Sequence, residues 1–189
     1  MKAVGFITEY NPFNNGHLLH LQKAMELSKA DCSVAVMSGN FVQRGEPSII
    51  DKYARAAMAV KCGVNLVVEL PSRYALGSAE KFAEGGILTL EKLEIDSVCF
   101  GSESGHLSEL EEIAKMLASE PDKYQLALKK ELKSGNSFPL ARENALASLN
   151  IMDKDRLHEV LSSSNNILAI EYLKAIKRNA CPIKAYTYK

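Results

Sequence analysis

The sequence has no excess of either charge, no long apolar run, no paired-cysteine motif and no internal repeat. Each absence closes off a class of function. Lysines and arginines number 23, aspartates and glutamates also 23. A chain so balanced has no global attraction for nucleic acid or for a membrane surface, and any such binding would need a local patch or a further segment. No segment reaches the roughly 18 apolar residues of a membrane span. The first residues, Met1–Ile7, run straight into a strand pattern and lack the apolar stretch of a secretory leader. Cys32, Cys62, Cys99 and Cys181 never fall within a C-x-x-C spacing, which speaks against a zinc site or a dithiol redox pair. Cys32 and Cys99 lie in apolar strand-like runs, where a thiol acts as a small hydrophobe. These features predict a reducing, cytoplasmic setting with no membrane partner.

What is present is enough apolar material for a core. Hydrophobic residues make up 47% of 189, so no disulfide is needed to hold a domain together. Ala3–Thr8, Ser33–Met37, Val64–Leu70 and Ser97–Phe100 read as short buried strands. Between them, His17–Lys29, Asp51–Lys61 and Ser78–Leu93 carry apolar residues at helical period, with Asp51 as a cap. Strands alternating with amphipathic helices predict an α/β fold with a parallel sheet and right-handed crossovers. After about residue 107 the character changes. Ser108–Ala118, Pro121–Lys133, Pro139–Leu149, Lys154–Leu161 and Ile167–Arg178 read as helices, and Ile183–Lys189 as a last strand. The expected organisation is a Rossmann-like core over 1–107 and a mostly helical extension over 108–189 that returns to the same site.

In parallel sheets of this kind ligands bind beyond the carboxyl ends of the strands. The loops expected there are Thr8–Gly16, Ser38–Ser48, Pro71–Gly77 and Gly101–Gly105. The first ends in Asn14-Asn15-Gly16-His17. Gly16 allows close backbone approach, and a helix beginning near His17 aims free N–H groups and a positive dipole end at the loop. His17, Asn11 and Asn14 add side-chain donors. The set suits a polyphosphate. Asn-Pro and Asn-Gly are also ordinary turn residues, so the motif by itself leaves a ligand-free turn equally open.

Glu9-Tyr10-Asn11-Pro12-Phe13-x-Asn15-Gly16-His17 resembles the ATP loop of the bacterial tRNA(Met) cytidine acetate ligases, members of the nucleotidyltransferase superfamily with an H-x-G-H signature. Four further blocks are similar to that family in the same order. They are Ala35–Pro47, Asn65–Pro71, Phe100–Gly105 and Asn165-Asn166-Ile167-Leu168-x-Ile170-Glu171-Tyr172. The resemblance implies a Rossmann-like nucleotidyltransferase fold. It also implies an enzyme that joins ATP and acetate into acetyl-adenylate and acetylates the wobble cytidine of elongator tRNA(Met), with magnesium as the partner of ATP. Residue by residue, it implies that Ile7, Thr8, Glu9, Tyr10, Asn11, Pro12, Phe13, Asn15, Gly16 and His20 hold ATP. His17 and Asn14 stand at the signature positions, Gly101 lies against the nucleotide, and Asn165 or Asn166 touches it. Ser38, Gly39, Arg44, Lys52 and Arg55 are candidates for substrate binding. A different adenylyl- or cytidylyltransferase and a nucleotide-binding module without turnover remain the competing readings.

Two departures from the family pattern stand out. The signature begins with His in the family and with Asn14 here. An amide donates a hydrogen bond but cannot become cationic, and loss of one preorganised donor typically costs about 10²–10³ in rate. Family members also run to about twice this length, with a basic segment led by a nucleotide-contacting Arg beyond the last residue of this sequence. Among the remaining residues, Glu69 reads equally as a carboxylate pointing into the cleft and as a structural hydrogen-bond partner of a loop, and Glu103 as a cap for the loop after Gly101 or as a metal ligand. His17 and His20 lack a third ligand for a metal. Lys123 and Lys129–Lys133 are offset by nearby glutamates and read as a solvated face.

Overall fold

A computed structural model describes residues 1–189. The chain runs β1 (Ala3–Thr8), α1 (Asn15–Ser28), β2 (Cys32–Ser38), α2 (Lys52–Lys61), β3 (Leu66–Leu70), a single turn α3 (Ser72–Ala75), α4 (Ala79–Lys92) and β4 (Ser97–Gly101). It continues through α5 (Leu107–Ser119), α6 (Asp122–Lys133), α7 (Phe138–Ala147), α8 (Lys154–Ser162), α9 (Ser164–Arg178) and β5 (Lys184–Tyr188). The five strands form one all-parallel sheet in the order β3-β2-β1-β4-β5. The expected α/β fold with a parallel sheet is the one found.

Alternation along the strands assigns residues to the two faces. Val34 and Val36 enter one core cluster, while Ala35 and Met37 enter the other with Val4 and Phe6. Helices cover both faces, so β2 reads as a continuous apolar run. The larger cluster joins Val36, Ile87 and Phe100 to Leu110, Leu157, Ile170 and Leu173. Residues beyond 107 therefore complete the same core, and β5 completes the same sheet, so position 107 marks a change of composition and no break in packing.

The helix ends follow from capping. Asp51 Oδ1 accepts from the N–H groups of Tyr53 and Ala54 and starts α2, as expected. Three local expectations change. α1 begins at Asn15, two residues before His17. One helical turn, α3, stands inside the expected Pro71–Gly77 loop. α9 begins at Ser164, which places Asn165 and Asn166 inside its first turn instead of ahead of it.

The strand order positions the site. From β1 the chain moves outward to β2 and β3, then returns to the opposite side of β1 for β4 and β5. The connections leaving β1 and β4 diverge, and a crevice opens at their carboxyl ends.

Candidate active site

That crevice is a cleft of about 620 Å³. Its floor is the end of β1 (Ile7, Thr8) and the end of β4 (Phe100, Gly101), its near wall the start of α1, and its far wall α9 and Tyr188. Thr8 is nearly buried, and its hydroxyl has no partner within the protein.

The start of α1 is built by a reciprocal cap. Asn14 Oδ1 accepts from the His17 N–H, and His17 Nδ1 accepts from the Asn14 N–H, each at 3.1 Å. Two consequences follow. The N–H groups of Asn15 and Gly16 remain free at the helix end, where the dipole favours an anion. His17, with Nδ1 acting as an acceptor, carries its proton on Nε2. Burial lowers the His17 pKa from its ordinary 6.5, so the ring is a neutral donor at pH 7. Gly16 sits at a helical position, and its role is close approach: a Cβ there would lie 3.2 Å from Asn14 Oδ1. Tyr10 and Phe13 hold the imidazole from the side, with ring centroids 4.9 and 5.5 Å from it. Phe13 is therefore a support for His17 and lies outside the cleft lining.

His20 lines the cleft, but its Nε2–H donates to the Cys99 carbonyl at 3.1 Å. Burial lowers its pKa. The ring stands edge-on to Phe6 and beside Tyr188. Its donor is committed to β4, so it is not available to a phosphate.

The loop after β2 is fixed to the loop after β1. Glu9 Oε1 accepts from Gln43 N–H at 2.6 Å, and Asn11 Oδ1 from Ile49 N–H at 2.8 Å. Arg55 is wholly buried and donates to the carbonyls of Glu9 (2.5 Å), Ile50 (3.1 Å) and Gly39. These bonds set Gln43 and Arg44 in the cleft wall. Of the five residues expected to bind substrate, Arg44 alone lines the cleft. Arg55 is spent on backbone carbonyls, and Lys52 pairs with Glu69 at 2.7 Å. Ser38 is buried at the end of β2, and Gly39 contributes its carbonyl to Arg55. Asn11 keeps only its amide nitrogen for a ligand. Asn15, expected to hold ATP, is the first residue of α1 and lies outside the lining.

At the far wall the asparagine pair divides. Asn165 lines the cleft. Asn166 is buried, and its Oδ1 accepts from Ser104 N–H at 3.0 Å, so it is structural. A Cβ on Gly101 would meet nothing nearer than the Tyr188 ring at 3.7–3.8 Å. Packing does not require glycine there, but the strand end faces the cleft. Phe82, Ser164, Leu168, Tyr172 and Tyr188 also line it, and none of them is among the sequence candidates. Ser164, Leu168 and Tyr172 recur at four-residue spacing, the one signal in the sequence that could have marked a shared helix face.

The arrangement concentrates hydrogen-bond donors at one end of the cleft. No group of three or more His, Cys, Asp or Glu side chains is placed to hold a metal ion. No helix is long and apolar enough to cross a membrane.

Comparison with known proteins agrees with this geometry. The family model described as HIGH Nucleotidyl Transferase matches residues 1–189. A tRNA(Met) cytidine acetate ligase of Thermoanaerobacter sp. is 52% identical over the whole chain, and one of Acetivibrio thermocellus is 50% identical, covering 47% and 46% of those proteins. The crystal structure of Thermotoga maritima TmcAL bound with alpha-thio ATP superposes with a TM-score of 0.96 at 44% identity. The match covers all of this chain and 46% of that one. The chain thus spans about half the length of the curated relatives it matches.

Proposed function

This chain belongs to the HIGH nucleotidyl transferase family, and from that premise we propose that it carries the ATP-activating site of a tRNA(Met) cytidine acetate ligase. The observation that carries the proposal is the convergence of Asn14, the free N–H end of α1 at Gly16, and the His17 imidazole with its proton on Nε2 on one cleft. A Thermotoga relative with the same fold is described as binding an ATP analogue.

In this reading the β- and γ-phosphates lie on the α1 terminus, within reach of His17 and Arg44. A carboxylate oxygen of acetate attacks the α-phosphorus in line. The bond to the bridging oxygen breaks, and pyrophosphate leaves with the negative charge that the helix end and His17 stabilise. The acetyl-adenylate then meets the N4 amine of the wobble cytidine of elongator tRNA(Met). The amine attacks the acetyl carbon, loses a proton, and AMP departs. No enzyme nucleophile is needed, and positioning accounts for much of the rate. Magnesium belongs here as a companion of the triphosphate, with phosphate and water as its ligands, since no protein cluster gathers to hold it. The reaction belongs in the cytoplasm, where ATP and tRNA meet.

The test is acetate-dependent exchange of labelled pyrophosphate into ATP. Exchange is expected with acetate and is expected to fall about 10²-fold in His17→Ala. Exchange that ignores acetate and requires a phosphorylated metabolite would assign the chain to another nucleotidyltransferase reaction. ATP binding without any exchange would mark a binding module.

A further inference from the structure

We propose that Glu103 is a positioning residue for nucleotide selection: it orients the Asn165 amide so that a carbonyl oxygen, and not an N–H, faces the nucleoside end of the cleft. This rests on the reading of the cleft as an ATP site.

The N-cap of α9, Ser163, makes no side-chain capping bond. The carboxylate of Glu103, from the loop after β4, takes its place. Glu103 Oε1 accepts from the Asn165 N–H at 3.2 Å and from its side-chain Nδ2 at 3.0 Å, while Oε2 accepts from the Asn166 N–H at 2.9 Å. An ionised carboxylate only accepts, so the amide branch facing it must be the NH₂. The other branch, Asn165 Oδ1, has no partner within the protein, and Asn165 lines the cleft. The loop is itself pinned. Ser104 N–H donates to buried Asn166 Oδ1, Gly105 N–H donates to Ser102 Oγ, and Ser102 Oγ meets Thr187 Oγ1 at 2.8 Å. Glu103 therefore cannot easily swing away, and the orientation of Asn165 is preset before any ligand arrives.

The cleft is thereby polarised. Its α1 end offers donors, suited to phosphate, and its α9 end offers an acceptor. An acceptor there selects a nucleoside that presents a donor, either a ribose hydroxyl or the exocyclic amine of adenine. A polar group built to pair with such a donor discriminates against the analogue that lacks it.

The experiment is titration of the chain with ATP, 2′-deoxyATP, 3′-deoxyATP and inosine triphosphate, read as dissociation constants, with melting temperature as a fold control. In the unmutated protein one of the three analogues, which identifies the donor, is expected to bind about tenfold more weakly than ATP. In Glu103→Ala, ATP itself weakens about tenfold and that preference shrinks to within about twofold. Asn165→Ala, which leaves the backbone cap in place, is expected to lose the same preference. If Glu103→Ala does not fold, Glu103→Gln supplies the reading, because its single carbonyl cannot accept from all three donors. Equal weakening of all four nucleotides in the Glu103 variants would reduce the residue to a helix cap and overturn the proposal, as would an unmutated protein that does not distinguish the four. No binding of ATP by the unmutated protein would instead overturn the nucleotide-site reading beneath it.

Discussion

Asn14 and His17 hold each other: the Asn14 amide oxygen accepts from the His17 backbone N–H, and the His17 ring nitrogen Nδ1 accepts from the Asn14 backbone N–H, both at 3.1 Å. The exchange settles which ring nitrogen carries the proton and where the ring points. It also shows what the asparagine at the first signature position does. Its oxygen is used within the helix cap, and only its NH₂ is left for a phosphate.

Replacing Asn14 separates the two duties. Asn14→Ala removes the cap oxygen and is expected to lower stability by about 1 kcal/mol, measured by urea denaturation. Asn14→His also gives up the cap oxygen but supplies a ring that can carry a proton as charge builds on the leaving pyrophosphate. Its stability should fall by a similar amount while pyrophosphate exchange rises, on the order of 10²-fold. Unchanged exchange in Asn14→His would mean that the missing signature histidine does not limit turnover.

Gly101 tests the cleft without disturbing the fold. An added Cβ meets the Tyr188 ring only at ordinary contact distance, so Gly101→Ala should leave stability within about 0.5 kcal/mol. The methyl group enters the space at the β4 end, and ATP affinity should fall at least tenfold. A loss of stability with affinity intact would place the glycine's role in packing.

Much of this was legible in the sequence, and the misses share a cause. The strands were visible because both faces of a parallel sheet are covered, leaving short apolar runs such as Val34–Met37. Asp51 was legible as a cap because that bond spans two or three residues. Glu103 spans 62 residues to Asn165, and Arg55 spans 46 to Glu9. Bonds of that reach leave no periodicity to read. For this reason the sequence reads Arg55 as a cleft cation and starts α9 after the asparagine pair, whose cap comes from another loop.

Arg55 is expected to be the residue whose loss costs most outside the apolar core. Truncation leaves the carbonyls of Glu9, Ile50 and Gly39 without their shared donor in a buried place. Arg55→Ala should destabilise the protein by about 3 kcal/mol or more and weaken ATP binding, because the loop that carries Gln43 and Arg44 loses its anchor. Arg55→Lys should recover little, since one ammonium cannot reach three carbonyls in the planar fork geometry. Full stability in Arg55→Lys would show that charge alone matters there.

The two cleft histidines give stability a defined pH dependence. Burial lowers the pKa of both His17 and His20 below the 6.5 of an unfolded chain. The unfolded state therefore binds protons more readily, and falling pH favours unfolding. Their contribution is intact above about pH 6.5 and is lost as pH drops through that value towards the folded-state pKa values. Glu80 does not blur this window. Burial raises its pKa, but Lys174 and Arg178 outweigh that and hold it below 4.5. Urea denaturation should therefore show lower stability at pH 5.5 than at pH 7.5. His20→Gln, which keeps a donor for the Cys99 carbonyl but cannot titrate, should shrink that difference. Saturating ATP should shrink it further, because a triphosphate beside His17 favours the imidazolium and opposes the effect of burial. An identical pH dependence in the free protein, the His20→Gln variant and the ATP-saturated protein would mean that neither ring is buried neutral, and that the phosphates lie away from His17.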